Sequence, residues 1–348
     1  MRIAIGMLVY NGADTLPNTL RSLLDQQILS ADGVEATIHV VANGCNDQSV
    51  AIAQDVLKTA HDADPDAGWG FHVHDLVVAN KCAAWEYFVH EAAERDADHL
   101  IMLDCDILFG DGDTLGVMIA ALEHDVTLDI ATSLPVKHVE IDAVGLLERL
   151  SARTNDARLD AHAVCGQLYA ARASVLRQVH MPIGLEVEDG LIRAMVLTDG
   201  FRGPERLERV RRVGDARHIY EAHVTPKLLI RHEAWLIREL VKLRYLCVAF
   251  EALPLAGTNR HAGELIATFN AADANWFAAL FVAASVDHRP LVPRSIRRRR
   301  LYAWADQGLK TKMSSVSKLL ISSAFDAIVC ARAERGLAAY RAELTPHR

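Results

Sequence analysis

Short apolar runs alternate with amphipathic stretches along the first part of the chain. An apolar run of roughly four to eight residues between turn residues indicates a buried strand, and apolar residues spaced three and four apart indicate a helix. Strands are predicted over residues 3–9, 37–42, 71–77 and 99–106, and each is followed by a helical pattern. Such alternation requires crossover connections, so we predict an α/β fold: a largely parallel sheet with helices on both faces.

The alternation loosens beyond residue 125. Three further strands are predicted there, over residues 129–133, 164–170 and 216–224. After Pro226 the pattern is helical to the end, with one segment predicted over residues 264–286. The change predicts two domains, a catalytic α/β domain at 1–230 and a helical region at 231–348.

Composition narrows the function classes. The chain has 348 residues and a formal net charge of −8, so a generally basic nucleic-acid binder is not expected. Six cysteines without a CxxC pair indicate buried thiols in a reducing compartment. The first strand begins at residue 3, leaving no room for a signal peptide, and no apolar stretch reaches the roughly 20 residues of a membrane span. We therefore expect a cytoplasmic protein.

Two carboxylates one residue apart end the fourth predicted strand. Side chains alternate along a strand, so Asp104 and Asp106 are expected to point the same way at its carboxyl end, where open α/β sheets bind ligands. Oxygen ligands of this kind suit Mg²⁺ or Mn²⁺ shared with substrate phosphates. The alternative is that one carboxylate caps a helix and the other closes a turn. Asp111 and Asp113 repeat the spacing, but their glycine neighbours favour a turn and helix cap.

The order of motifs carries more information than any single one. In chain order they are Met7-Leu8-Val9-Tyr10-Asn11-Gly12, Val40-Val41-Ala42-Asn43-Gly44-Cys45-Asn46-Asp47, Asn80-Lys81, Leu103-Asp104-Cys105-Asp106, Cys165-Gly166-Gln167 and Val187-Glu188-Asp189. This series resembles the family 2 glycosyltransferases with the GT-A fold, over residues 1 to about 235. The resemblance implies inverting transfer of a sugar from a nucleoside diphosphate sugar, UDP-sugar being favoured, to a hydroxyl acceptor.

The resemblance also implies roles for individual residues. It assigns donor and nucleotide binding to Tyr10, Asn11, Asn43, Lys81, Asp104 and Cys105. Asn43 stands where many members have an aspartate that reads the base. It assigns the metal to Asp106 and Asp104, with His223 as a third ligand and His218 as the alternative.

The remaining implied roles concern catalysis and the acceptor. Asp189 matches the catalytic base, and Glu188 beside it would hold the acceptor or fix the loop. Gly166, Gln167 and Trp235 match acceptor-side positions. From the residues alone, Asp189 and Glu188 could instead serve the start of the following helix, and Lys81 could be a solvated lysine.

The helical region leaves alternatives open. An apolar segment at 275–286 and four consecutive arginines at 297–300 could meet an anionic membrane surface, giving peripheral contact at the inner face of the membrane. Alternatively, they pack on the catalytic domain or form a homodimer interface. Two other functions remain: a non-catalytic nucleotide-binding scaffold, and a sugar nucleotidylyltransferase, although the loop after the first strand lacks the Gly-rich, arginine-containing pattern of the latter.

Overall fold

The computed structural model describes residues 1–138, 160–221, 225–305 and 309–344. Contacts divide the chain into two units, Met1–Ala222 with Leu253–Ala272, and His223–Ala252 with Asp273–Arg348. The division falls at residue 223, and residues 253–272 belong to the first unit. The functions assigned to the two predicted domains stay predictions.

The first half of the sheet contains four parallel strands. They are β1 (Arg2–Val9), β2 (Glu35–Asn43), β3 (Trp69–Leu76) and β4 (His99–Asp104). The helices that follow the first three are α1 (Leu16–Leu24), α2 (Ser49–Ala63) and α3 (Lys81–Tyr87). Residues on both faces of β1, such as Ile5 and Leu8, are buried, as expected of a parallel strand covered on both sides.

The second half of the sheet is mixed in direction. Its strands are β5 (Ile107–Phe109), β6 (Ile130–Lys137), β7 (Leu168–Arg172) and β8 (Val210–Tyr220). The strand order is β3-β2-β1-β4-β7-β6-β8-β5, in which β7 is antiparallel to β4 and β6, and β5 is antiparallel to β8. The predicted α/β class with helices on both sides is confirmed. The sheet was expected to be largely parallel, and it is instead parallel in its first half and mixed in its second half.

The other α-helices of the described residues follow these strands along the chain. In the first unit they are α4 (Thr114–His124), α5 (Ala173–Leu176) and α6 (Asp189–Leu197). The carboxyl-terminal helices are α7 (Pro226–Glu251), α8 (Ala262–Ala272), α9 (Trp276–Ser285), α10 (Arg294–Arg297), α11 (Arg299–Ala305) and α12 (Leu309–Leu344). Of these, α8 belongs to the first unit and the others to the second.

The second unit has its own apolar core. Ala234, Ile237 and Val241 of α7 belong to one buried cluster with Val329 and Ala333 of α12.

No single helix of the described residues is long and apolar enough to cross a membrane; Ala262–Ala272 and Trp276–Ser285 meet the length and composition criteria only as a bent pair.

Three predicted elements differ from those observed. The strand predicted to carry both carboxylates ends at Asp104, and Asp106 lies in the turn before β5. The strand predicted over 164–170 begins at Leu168. The helix predicted over 264–286 is two helices, because a turn in which the Asp273 carboxylate accepts from the Asn275 N–H (2.8 Å) interrupts it. Apolar residues on both sides of that turn conceal it in the sequence.

Candidate active site

An ion-pair network links three elements near the carboxyl end of β4. Lys81, the first residue of α3, lies with its Nζ 2.7 Å from Asp104 Oδ1 and 3.0 Å from Glu188 Oε1. The same Nζ donates to the Gly166 carbonyl oxygen at 3.2 Å. The Asn80 carboxamide caps α3 by accepting from the Ala83 N–H at 2.8 Å, which fixes where the lysine begins the helix. The sequence-predicted residues Lys81, Asp104, Gly166 and Glu188 therefore meet at one place.

The Lys81 ammonium is held in its charged form. Burial lowers the pKa of Lys81, but the carboxylates of Asp104 and Glu188 outweigh this effect and raise the pKa well above its usual value. Burial raises the pKa of Glu188, which is 2% exposed, and Lys81 opposes the rise. One lysine therefore stands between two carboxylates, with one of them almost fully removed from water.

Two further carboxylates lie near this network. Burial, and then repulsion from Asp104, raise the pKa of Asp106. Burial also raises the pKa of Asp189, the first residue of α6. The Gly190 N–H donates to Asp189 Oδ1 at 2.6 Å, which opposes the rise in that pKa. Four carboxylates thus surround one lysine, so the site lacks positive charge when all four are ionised.

This excess of carboxylate fits a divalent cation. Asp104 and Asp106 offer oxygen ligands, and Mg²⁺ or Mn²⁺ needs only one or two protein carboxylates when substrate phosphates and water complete its coordination. Glu221, directly after β8, also acts on this position, since its charge raises the pKa of Asp106. The sequence reasoning missed Glu221 and chose His223, which lies outside the described residues.

The backbone of the segment before β7 lies beside the carboxylates. The Asp104 N–H donates to the Gln167 carbonyl oxygen at 3.0 Å. A Cβ at Gly166 would lie 3.1 Å from Glu188 Oε1 and 3.4 Å from Asp189 Cβ, so the missing side chain lets this backbone approach both acids.

A buried histidine supports Gln167. His218 Nε2 lies 3.3 Å from Gln167 Oε1, and His218 Nδ1 lies 2.7 Å from Ser133 Oγ. Burial lowers the pKa of His218 to about 4, so the ring is neutral at pH 7. Both ring nitrogens have protein partners, which makes His218 a support for the Gln167 side chain in this structure.

The loops after β1 and β2 form the predicted nucleotide side. Asn11 adopts a left-handed backbone conformation (φ 49°), and its Oδ1 accepts from the Asn46 N–H at 2.9 Å. Asn43 is buried and donates from Nδ2 to the Val9 carbonyl oxygen at 2.7 Å. Tyr10, the residue before Asn11, is 57% exposed. Asn43 therefore joins the ends of two strands, while the Tyr10 side chain is open to a ligand.

Packing against Gly12 holds the turn that contains Cys105. A Cβ at Gly12 would lie 2.8 Å from Cys105 Sγ, and Thr19 Oγ1 donates to the Cys105 carbonyl oxygen at 2.8 Å. Burial, and then the charges of Asp106 and Asp104, raise the pKa of the Cys105 thiol to about 12. The Cys105 thiol is therefore protonated at neutral pH, and its sulfur packs closely against Gly12.

The structure also places three further groups of residues that the sequence analysis singled out. The Asp111 carboxylate accepts from the Asp113 N–H at 3.0 Å, which is the predicted turn before α4. Trp235 belongs to the second unit and lies on α7. Arg297, Arg299 and Arg300 of the arginine run form ion pairs with acidic residues of the same unit, Glu233, Asp326 and Glu334.

A side-chain cluster that the sequence did not reveal connects α3 to the loop before α6. Glu86, His90 and His180 have ligand atoms within 4.8 Å of one another, and the two imidazoles are stacked with centroids 4.0 Å apart. Glu86 Oε2 also accepts from the Met181 N–H at 2.8 Å. Ninety or more residues separate the loop from Glu86, so no local pattern could predict the contact.

Comparisons with known proteins bear on this site. The model of glycosyl transferase family 2 matches residues 4–176. The chain carries a family 2 glycosyltransferase domain. The match includes the β1, β2, α3 and β4 motifs, and the resemblance seen in the sequence is confirmed. The search of curated proteins found no match to this chain.

Solved structures show the fold of this glycosyltransferase. Mannosyltransferase PcManGT from Pyrobaculum calidifontis, in complex with GDP-Man and Mn²⁺, is 15% identical with a TM-score of 0.55, covering 95% of this chain and 85% of that chain. S. aureus TarS 1–349 is 14% identical with a TM-score of 0.50, covering 100% of this chain and 93% of that chain. The glycosyltransferase therefore has the GT-A fold.

Proposed function

We propose that this glycosyltransferase moves a sugar from a nucleoside diphosphate sugar to a hydroxyl acceptor, with inversion and with a divalent metal. The observation that carries the proposal is the meeting of Asp104, Asp106, Lys81, Glu188 and Asp189 at one edge of the sheet. Glycan, glycolipid or polysaccharide synthesis is the setting we expect for such a transfer.

In this proposal a metal held by the carboxylates and the Lys81 ammonium together offset the negative charge of the donor's diphosphate. Asp106 and Asp104 would hold Mg²⁺ or Mn²⁺, which when bound offsets the negative charge that develops on the departing diphosphate. Lys81 keeps its charge through its two carboxylate partners, so it supplies a fixed cation beside the same edge. PcManGT, which shares the fold, was solved with GDP-Man and Mn²⁺, and this supports a metal-dependent donor complex.

Asp189 is the residue we propose as the base. The Glu188 carboxylate is buried and ion-paired with Lys81, which leaves it poorly placed to accept a proton. Asp189 is half-buried, and burial raises its pKa, which brings it nearer to that of a useful base at neutral pH. Glu188 then acts as a positioning residue that fixes Lys81 and the Gly166 backbone.

Gly166 and Gln167 line the acceptor side in this proposal. Gly166 brings backbone close to both acids, and the buried Ser133–His218–Gln167 chain orients the Gln167 carboxamide. UDP-sugar remains the favoured donor, with GDP-sugar as the alternative that PcManGT suggests. The family match favours transfer over a nucleotidylyltransferase or a non-catalytic scaffold.

Replacing Asp189 by Asn tests the base. Nucleoside diphosphate release from a panel of UDP- and GDP-sugars, supplied with mixed saccharide acceptors, measures transfer, and a thermal shift with nucleotide and Mn²⁺ measures donor binding. We expect Asp189→Asn to lose transfer by about 100-fold or more while keeping donor binding. In the wild type, transfer should fall as the pH falls through the raised pKa of Asp189. Near-normal transfer in Asp189→Asn would remove the base from the proposal.

The expectations about location and assembly remain proposals. Cytoplasmic residence, contact with the inner face of a membrane, and a homodimer follow from the sequence interpretation. The ion pairs of Arg297, Arg299 and Arg300 reduce the charge they could offer an anionic membrane.

A further inference from the structure

A cavity of about 560 Å³ lies in the second unit, between residues of α7 and α12. We call it the arginine cavity, and its lining includes Leu228, Arg231, His232, Trp235, Arg238 and Arg332. Its volume is within the range of small-molecule sites, roughly 300–1,000 Å³. Three guanidinium groups on one cavity of this size indicate a site for an anionic group.

The arginines of this cavity differ from the arginine run at 297–300. Arg297 and Arg299 are bound by carboxylates at 2.7–3.2 Å. Within the described parts of the chain, by contrast, no carboxylate lies within ion-pair distance of Arg231, Arg238 or Arg332. Their positive charge is therefore available to a ligand.

Two packed helices fix the backbone positions of the three arginines. Arg231, Trp235 and Arg238 recur every three or four residues, so they share one face of α7. Arg332 lies on α12, next to the core residue Ala333, which packs in the same cluster as Ala234 of α7. The guanidinium groups thus project from two packed helices, and a rigid scaffold lowers the entropy that a ligand must offset.

Gly336 makes room for the Arg238 side chain. A Cβ at Gly336 would lie 2.6 Å from Arg238 Cδ and 3.0 Å from its Nη1. Glycine is unfavourable in the interior of a helix, and here it lets Arg238 lie against the α12 backbone. The cavity therefore has one guanidinium group whose position depends on a specific small residue.

The lining favours a phosphate group carried on a polar or ring-shaped body. Guanidinium groups bind phosphate oxygens through paired N–H donors, and several of them can share one dianionic phosphate. His232 and Trp235 lie with ring centroids 5.7 Å apart and add an aromatic wall to the cavity. Such a wall suits the face of a sugar or the stem of a polyol.

We propose that the arginine cavity binds the phosphate group of a phosphorylated ligand. The phosphate could belong to a soluble sugar or polyol phosphate or to a phosphate-bearing lipid headgroup. Both sources present the same group to the arginines, so the experiment separates them.

Calorimetric titration of the full chain with glycerol 1-phosphate, without nucleotide or divalent metal, tests the soluble source. We expect saturable binding that Arg238→Gln and Arg332→Gln each weaken by about tenfold, as for the loss of a charge-assisted hydrogen bond. Arg244→Gln is the matched control, because Arg244 is exposed on α7, six residues beyond Arg238 and outside the cavity lining. It removes the same charge and should change the affinity by less than about twofold.

The Gly336→Ala variant tests whether the position of the Arg238 side chain matters when the charge of the cavity is unchanged. It keeps all three arginines and favours the helix, so it should leave the protein folded while weakening phosphate binding by displacing Arg238. Sedimentation with phosphatidylglycerol vesicles, compared with phosphatidylcholine vesicles, tests the lipid source with the same variants. Arginine-dependent binding to phosphatidylglycerol alone would identify a lipid-borne phosphate.

Two outcomes would overturn the inference. One is that neither glycerol 1-phosphate nor phosphatidylglycerol binds. The other is that Arg244→Gln weakens binding as much as Arg238→Gln, which would show unspecific attraction. Because this titration contains no nucleotide, it is independent of the donor site. Phosphate binding without any nucleotide binding would contradict the proposed function and leave the arginine cavity intact.

Discussion

Replacing Lys81 by Met removes the cation that the structure sets between Asp104 and Glu188. Removing one partner of a buried ion pair costs about 3–5 kcal/mol, because the other charge is left unpaired. The side chains of Lys81 and Asp104 are 32% and 22% exposed, so water relieves part of this cost. Glu188 is almost fully buried and gains little such relief. We therefore expect Lys81→Met to destabilise the first unit by about 2–3 kcal/mol at pH 8.

The loss of stability in Lys81→Met should depend on pH in a defined direction. Without Lys81, burial and then the charges of Asp189 and Asp104 raise the folded-state pKa of Glu188 further above that of the unfolded chain. The folded state then binds more protons than the unfolded state, so stability falls as the pH rises and recovers as it falls. The deficit should be largest at pH 8 and smaller at pH 5.5.

Urea unfolding at both pH values, followed by tryptophan fluorescence, measures the deficit. Lys58→Met is the matched control, since Lys58 is exposed on α2 and forms no ion pair among the described residues. Adding Glu188→Gln to Lys81→Met should recover part of the stability, because the stranded charge is removed. Equal unfolding midpoints for Lys81→Met and Lys58→Met, or no recovery in the double variant, would refute the reasoning.

Two further substitutions test the packing of the site. Gly166→Ala should lower transfer by about tenfold, since its Cβ crowds the adjacent acids, whereas Gly214→Ala, with open space around it, should leave transfer unchanged in the same assay. Tyr169→Phe should destabilise the fold by about 1–3 kcal/mol, because Trp85 Nε1 loses the buried acceptor it contacts at 2.6 Å. Exposed Tyr302→Phe is its control, and equal urea midpoints for the two variants would contradict this prediction.

Much of the first half of the fold could be predicted because its information is local. β1, β2 and β4 are apolar runs that end in polar turns, and their parallel order follows from the crossover helices. The direction of β7 could not be predicted, because it depends on how a strand returns to the sheet after a long connection. β5 is only three residues long and leaves no periodic signal.

The candidate site shows the same division. The motif order identified Lys81, Asp104 and Glu188, but not that the lysine contacts both carboxylates across 23 and 107 positions of sequence. Strand alternation suggested that Asp104 and Asp106 share a face, whereas the chain turns at Cys105. Glu221 has no motif of its own and is detected only by its charge effect on Asp106.

The central claim is that the Asp104–Asp106 edge binds a nucleoside diphosphate through a divalent metal. Calorimetric titration of UDP and of GDP, with and without Mn²⁺, into the wild type, Asp106→Asn and Asp111→Asn tests it most directly. We predict metal-dependent binding of one nucleotide to the wild type and to Asp111→Asn, weakened by about 100-fold or more in Asp106→Asn. Binding that is equally tight without metal, or unchanged in Asp106→Asn, would contradict the claim.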